Sequence, residues 1–368
     1  MSEYKQIKGN VGEWSEIYTL LKLLGESKVY AGDQNLEKIK NLVYPIIMII
    51  RSEKGGIYDY RVESADIVIT TSDGEELLRL PASKFLFEAE ALLKAINEKP
   101  AGARSFPVAR TQAFMDRIYC TSLKASSSDK TDIHIILHDQ RTKINNEMGF
   151  SIKSQLGGDS TLLNASSATN FVYRIEGCYL SNDEIAHINA IDTRSKIIDR
   201  IGAIVQKGGK LVFEKIDNDI FRRNLDMIDL GLGATIAQLL LEQFNTRGRM
   251  FEELTDTLAQ SNPLGFDEAD AVDVYTYKLK KLLTSAALGM MPSKKWNGKY
   301  DANGGYLVVK KDGEILCYHF YDQNRFEDFL FKNAYLERGK THRHGYASLY
   351  RKENDKVYFK LNLQIRLK

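Results

Sequence analysis

Residues 131–171 read TDIHIILHDQRTKINNEMGFSIKSQLGGDSTLLNASSATNF, and this stretch decides the fold. Between 132 and 137 the chain alternates with period two. Asp132, His134 and Ile136 fall on one face and Ile133, Ile135 and Leu137 on the other, as in a half-buried strand. A polar connection at 139–146 follows, and residues 148–155 then repeat the alternation, with Ser151, Lys153 and Gln155 on one face and Phe150, Ile152 and Ser154 on the other. Two neighbouring strands of this kind would bring Asp132 and Lys153 together.

Working outward, the polar stretch 122–131, with Ser126, Ser127, Ser128 and Asp129, is a loop feeding into the first of these strands. Further upstream, Trp14, Ile17, Tyr18, Leu20, Leu21, Leu23 and Leu24 recur at helical spacing. Asn10 is a fitting N-cap for that helix, and Glu13, three residues later, completes a capping box that gives this glutamate a structural use. Residues 36–41 read as a second helix, and 43–51 as a strand or a buried helix. The stretch 59–70 is strand-rich, Asp73-Gly74 marks a turn, 82–97 is an amphipathic helix, 100–107 a loop and 114–119 helical.

Downstream, Gly157-Gly158 permits close backbone approach to a ligand, and 170–175 is strand-like. Residues 182–204 are mostly helical, 210–213 form a short strand, and 220–246 are helical with a break around Gly231 and Gly233. In the helix at 267–288, Val272, Tyr275, Leu279, Leu282 and Leu283 form an apolar stripe that reads as core. From 296 onward two hairpins are expected, 305–310 with 314–321 and 347–352 with 356–366. The fold class is therefore mixed α/β. The division expected is an N-terminal region (1–125), a catalytic core (126–215), a helical region (216–291) and a β-rich C-terminal module (292–368).

The chain has 368 residues, 43% hydrophobic and 27% charged, an ordinary globular composition that argues against disorder and fibrous classes. A net charge of +2 neither demands nor forbids a nucleic-acid partner, because clustering of the 51 Lys and Arg matters more than their sum. Cys120, Cys178 and Cys317 lie far apart and give no zinc spacing. The polar N-terminus and the shortness of the apolar runs point to a cytoplasmic protein. No phosphate-binding GKS or GKT loop is present, which argues against a nucleotide-driven motor.

An acid and a lysine on adjacent strands suit phosphodiester hydrolysis. That reaction uses a metal to polarise the phosphate and generate hydroxide, carboxylates to hold the metal, and a cation near the developing charge. Mg²⁺ is the cofactor expected, since it needs only one or two protein carboxylates beside phosphate oxygens and water. Asp132 and Lys153 supply two of these parts, with Ser151 and Gln155 beside the lysine in the candidate catalytic set. Ser151 stands where a second carboxylate would be expected, so another element must provide one. Glu16, which follows Gly12 in a GxxxE pattern, is the first candidate; Glu147 and Glu176 are alternatives. His134 and His138 share the face of Asp132 but have no further ligands to complete a zinc site.

Three segments carry a resemblance: GNVGEWSEIY (9–18), GFSIKSQLGGDSTLLNASSATNF (149–171) and KLNLQIRLK (360–368) together resemble the HpaII-type Type II restriction endonucleases. The resemblance implies a PD-(D/E)xK core, a mixed sheet flanked by helices, with Asp132 and Glu16 as metal ligands and Lys153 as the catalytic lysine. Two departures from that signature stand out, Thr131 in place of proline and Ser151 in place of the acid. The resemblance also implies double-stranded DNA as substrate, 5′-CCGG-3′ as target, and a cognate DNA methyltransferase in the same restriction-modification system that is not a bound subunit. A palindromic target suits a homodimer. Candidates for reading bases are Asn164, Thr169 and Asn170 beside the site, and Arg343, His344, Gln364 and Arg366 near the C-terminus. A DNA-binding module with a degraded site and a junction-type nuclease are the competing readings.

Overall fold

The computed structural model describes residues 6–124, 131–139, 143–353 and 355–368. The loop at Ser126 to Asp129 and part of the connection at 139–146 lie outside these. The chain forms two compact units, Met1–Ser160 with Tyr300–Phe329, and Thr161–Lys299 with Leu330–Lys368. The boundary between Ser160 and Thr161 falls within the stretch 126–215, and that between Phe329 and Leu330 within 292–368.

In the first unit, a nine-stranded sheet runs in the order Lys28–Gly32, Ile315–His319, Gly305–Val309, Ile144–Ser154, Ile133–Asp139, Lys38–Glu53, Gly56–Glu63, Asp66–Thr71 and Glu76–Pro81. The two strands read from residues 131–171 lie at its centre, paired antiparallel with Ile133 opposite Phe150. Alternation holds along the first: Ile133, Ile135 and Leu137 are buried, while His134, Ile136 and His138 are partly open. The far edge of the second strand is covered by Gly305–Val309, which runs parallel to it with Tyr306 opposite Ser151 and Val308 opposite Lys153. A hairpin more than 150 residues downstream thus completes the sheet.

Helix Val11–Glu26 begins with the expected capping box, in which the Asn10 side chain accepts from Glu13 N at 3.0 Å and Glu13 Oε2 accepts from Asn10 N at 2.8 Å. Trp14, Ile17, Leu20, Leu21, Leu23 and Leu24 are fully buried in the core, and helix Ala82–Asn97 packs against this one. Burial of six large side chains, each contributing about 1.5–3 kcal/mol, fixes the helix firmly.

The helix expected at 36–41 is absent. Leu36 instead closes a turn at φ +64°, and the strand Lys38–Glu53 starts two residues later. Six residues are too few to sustain a helix alone, whereas pairing with Lys28–Gly32 at one end and Ile133–Asp139 at the other satisfies the backbone of the long strand. The same pairing settles 43–51 as strand.

The second unit contains a four-stranded sheet (Lys210–Ile216, Asn170–Glu176, Val357–Asn362, Leu349–Arg351) and a three-stranded one (Ser160–Leu163, Ile365–Leu367, Ala334–Leu336). Six helices of nine or more residues accompany them, Asn182–Ala190, Lys196–Gln206, Asp219–Ile228, Leu232–Thr246, Phe251–Ser261 and Ala271–Leu288. In the last of these Tyr275, Leu279, Leu282 and Leu283 are core as expected, but Val272 is 52% exposed. Both C-terminal hairpins form, and the helix Gln323–Asn333 stands between them, where no helix was expected. Among the described residues no single helix is long and apolar enough to cross a membrane.

Candidate active site

Asp132 stands one residue before its strand, where its N–H donates to the Phe150 carbonyl at 2.9 Å. Its carboxylate oxygen Oδ2 accepts from Ile152 N at 2.7 Å and from Ser151 Oγ at 2.9 Å. Lys153 Nζ in turn donates to Ser151 Oγ at 3.0 Å. Ser151, only 2% exposed, is therefore a neutral bridge between the lysine and the acid. A carboxylate at this position would set a second negative charge beside Asp132; the hydroxyl orients both groups without that repulsion.

Glu16 reaches the same place from the first helix. The adjacent Ser15 is fully buried; its hydroxyl donates to Val11 O at 2.7 Å and meets Ser154 Oγ, at the end of the lysine strand, at 2.8 Å. This contact ties the helix to the strand, and Glu16 lies close enough to Asp132 and Lys153 for their charges to act on one another. Burial first, and then the charge of Asp132, push the Glu16 carboxyl up to about 8, with Lys124 and Arg51 pulling the other way. Burial draws the Lys153 ammonium below its ordinary value, against the opposing pull of Asp132 and Glu16. The three groups thus form one electrostatic cluster.

Gly12 of the GxxxE pattern is not there for close packing, since a Cβ at this position would meet only the Asn10 side chain, at 3.1 Å. Gly157 does sit against the helix, since its Cβ would lie 3.2 Å from the Val11 side chain. Glu13 is held in the capping box, and Lys124 Nζ lies 3.5 Å from it. Glu147 is exposed and pairs with His134 at 3.3 Å, while Glu176 belongs to the second unit and accepts from Arg174 Nε at 2.9 Å. His138 pairs with Asn145 Oδ1 at 2.8 Å. Gln155 lies just past the end of the lysine strand, with its N–H on Val309 O at 2.8 Å.

Two neighbours carry no mark in the local sequence. Tyr306, 1% exposed, places its ring centroid 4.9 Å from Lys153 Nζ, and burial together with Asp132 raises its phenol well above the usual range. It follows Gly305, whose φ of +108° no side chain would tolerate easily and whose Cβ would strike Tyr318 O at 2.1 Å. Arg51, 4% exposed, pairs with buried Glu53 and donates to the Ser122 carbonyl. Each joins the site only through sheet pairing, which no spacing along the chain announces.

The residues expected to read bases all fall in the second unit. Thr169 and Asn170 are buried, and their polar atoms are used internally. Asn362 Nδ2 donates to Asn170 Oδ1 at 2.7 Å and to Thr169 Oγ1 at 3.1 Å, and Asn170 Nδ2 donates to His344 O at 2.8 Å. Their place is to hold the turn rather than to face solvent. Gln364 and Arg366 both donate to Glu337 Oε2, at 2.8 and 2.7 Å. Asn164 and Arg343 are exposed, and His344 is half-buried.

Among the described residues no group of three or more His, Cys, Asp and Glu is placed to hold a metal. The pair Glu16 and Asp132, in which burial and then the neighbouring charge raise Glu16 to about 8, nevertheless fits a hard divalent cation that completes its shell with phosphate oxygens and water. No solved structure matches the chain. The family model for the HpaII restriction endonuclease matches residues 10–367. The Type II restriction enzyme HpaII of Haemophilus parainfluenzae is 40% identical over 368 residues, which is 100% of this chain and 99% of that protein. Agreement of this extent, running from the glutamate helix to the last strand, means that the chain belongs to the HpaII family of Type II restriction endonucleases.

Proposed function

We propose that the protein is a Mg²⁺-dependent endonuclease that acts as a homodimer on double-stranded DNA, cuts at 5′-CCGG-3′, and carries its site on a PD-(D/E)xK core. The observation that carries this reading is the pairing of Asp132 with Lys153 through Ser151, with the Glu16 carboxyl close enough for its charge to act on both. Mg²⁺, when bound, would polarise the scissile phosphate and lower the pKa of the attacking water. Asp132 and Glu16 would hold it, and Asp132 is kept in place by its two donors on Oδ2. Lys153, fixed on Ser151 and stacked near Tyr306, orients the attacking water and offsets charge that develops on the phosphoryl oxygens. Gln155 extends from the same strand end and completes the set.

The target is the one that the resemblance of residues 149–171 and 360–368 to HpaII-type enzymes implies, and a two-fold dimer would present one site to each strand. Asn164, Arg343 and His344 are the proposed base-facing residues, positioned by Thr169 and Asn170, with Gln364 and Arg366 held on Glu337. The cognate methyltransferase would be a separate protein. Ser151 favours an enzyme over a degraded binding module, because the serine is built into the hydrogen-bond chain rather than left as a gap. Incubation of a plasmid with the protein and Mg²⁺, followed by sequencing of the fragment ends, tests this. Discrete fragments are expected whose ends, rejoined in sequence, restore CCGG at every junction; binding without cutting would overturn the reading.

A further inference from the structure

Ion pairs of the second unit join residues both near and far in the chain, but among the described residues one group of cations has no acidic partner. Arg247, Arg249 and Arg338 are all exposed, and none forms an ion pair among the described residues. Backbone pairing brings them together, since Leu336 N donates to Arg249 O at 2.8 Å and Met250 bridges to Tyr335. Their charges feel one another: burial, and then Arg247 and Arg249, pull the Arg338 guanidinium below its ordinary value, opposed by Tyr346.

Two of the three are also braced. Arg338 lies 5.0 Å over the Phe244 ring and Arg249 lies 5.0 Å over Tyr335, so an aromatic ring supports each planar group while its N–H edge stays available. Arg247 caps the helix Leu232–Thr246 in the left-handed region at φ +62°, a position that favours glycine or asparagine. A charge at a helix C-terminus is favourable, which accounts for one cation there but not for three that repel one another. Unpaired, mutually repelling, ring-supported guanidiniums are an arrangement suited to a polyanion.

We propose that Arg247, Arg249 and Arg338 form a contact site for the phosphodiester backbone of the duplex, separate from any base-reading residue. This rests on the proposed function. Phosphate contacts position the protein on DNA and carry no sequence information, so removing them weakens binding to cognate and unrelated duplex alike. Each arginine that no longer neutralises a phosphate lowers the slope of log K against log salt by about 0.9.

The test is binding of the full-length protein to a CCGG duplex and to an unrelated duplex across a salt series, without divalent metal. In the triple variant R247A/R249A/R338A the slope should fall by about 2–3 on both duplexes, following the same counterion arithmetic. R247K/R249K/R338K should keep most of it, separating the effect of charge from that of misfolding. R222A provides a comparison, because Arg222 is already paired with Asp226 at 2.8 Å; it should match the wild type. An unchanged slope in the alanine triple, or a lysine triple equally defective, overturns the site. Cleavage by the wild type alongside an unchanged slope would sink the site alone, whereas a wild type that neither binds nor cuts duplex would sink the proposed function as well.

Discussion

Glu16→Gln should make the metal-free protein more stable while abolishing cleavage. The Glu16 carboxyl stands at about 8 in the folded protein against an ordinary 4.5. Between those values the folded state binds more protons than the unfolded state, so stability falls as pH rises. The protonated form's advantage is fully present below 4.5 and is lost by the time pH has passed 8. At pH 7 the cost approaches about 3 kcal/mol, from roughly 2.5 pH units at 1.36 kcal/mol each. Glu16 is partly open to water, which screens the interaction, so about 1–3 kcal/mol is the working range. For a unit of this size that corresponds to roughly 2–10 °C in the unfolding midpoint. Glutamine keeps the shape and cannot ionise. The assay is thermal unfolding of wild type and variant in EDTA from pH 4 to 9. The two should coincide near pH 4.5 and diverge towards pH 8, with the variant above. A variant equal to or below the wild type throughout would refute the raised carboxyl of Glu16 beside Asp132.

Lys153→Ala should abolish cleavage and leave duplex affinity within a few-fold in a gel-shift assay; retained cleavage in Mg²⁺ would remove the lysine from the site. Ser151→Ala breaks the bridge between Lys153 and Asp132, and a rate lower by about 10- to 100-fold at saturating DNA is expected, as for other groups that orient metal ligands. Millimolar Mg²⁺ should raise the unfolding midpoint of the wild type, and Asp132→Asn should lose that increase. Trp14→Ala removes a fully buried ring and its bond to Phe106 O at 2.9 Å, and should cost about 3–5 kcal/mol in urea unfolding.

The sequence by itself determined the elements whose patterns are local. Period-two alternation marked the Asp132 and Lys153 strands, and helical spacing with an Asn10 cap marked the glutamate helix. Glycine and aspartate turns marked the hairpins. Helical readings failed where the pattern was shortest, at 36–41, because six residues say less than the strands waiting on either side. Tertiary structure decided the rest. It set Glu16 within electrostatic reach of Asp132, while Glu147 pairs with His134 and Glu176 with Arg174, and it showed Ser151 as a bridge where sequence showed only a missing acid. It also carried the hairpin with Tyr306 into the first sheet, buried Thr169 and Asn170, and set beside one another three arginines that form no ion pair among the described residues. A side chain's hydrogen-bond partner or electrostatic neighbour across a sheet depends on strand order and register, and those are set by pairings between residues far apart in the chain, which no local period encodes.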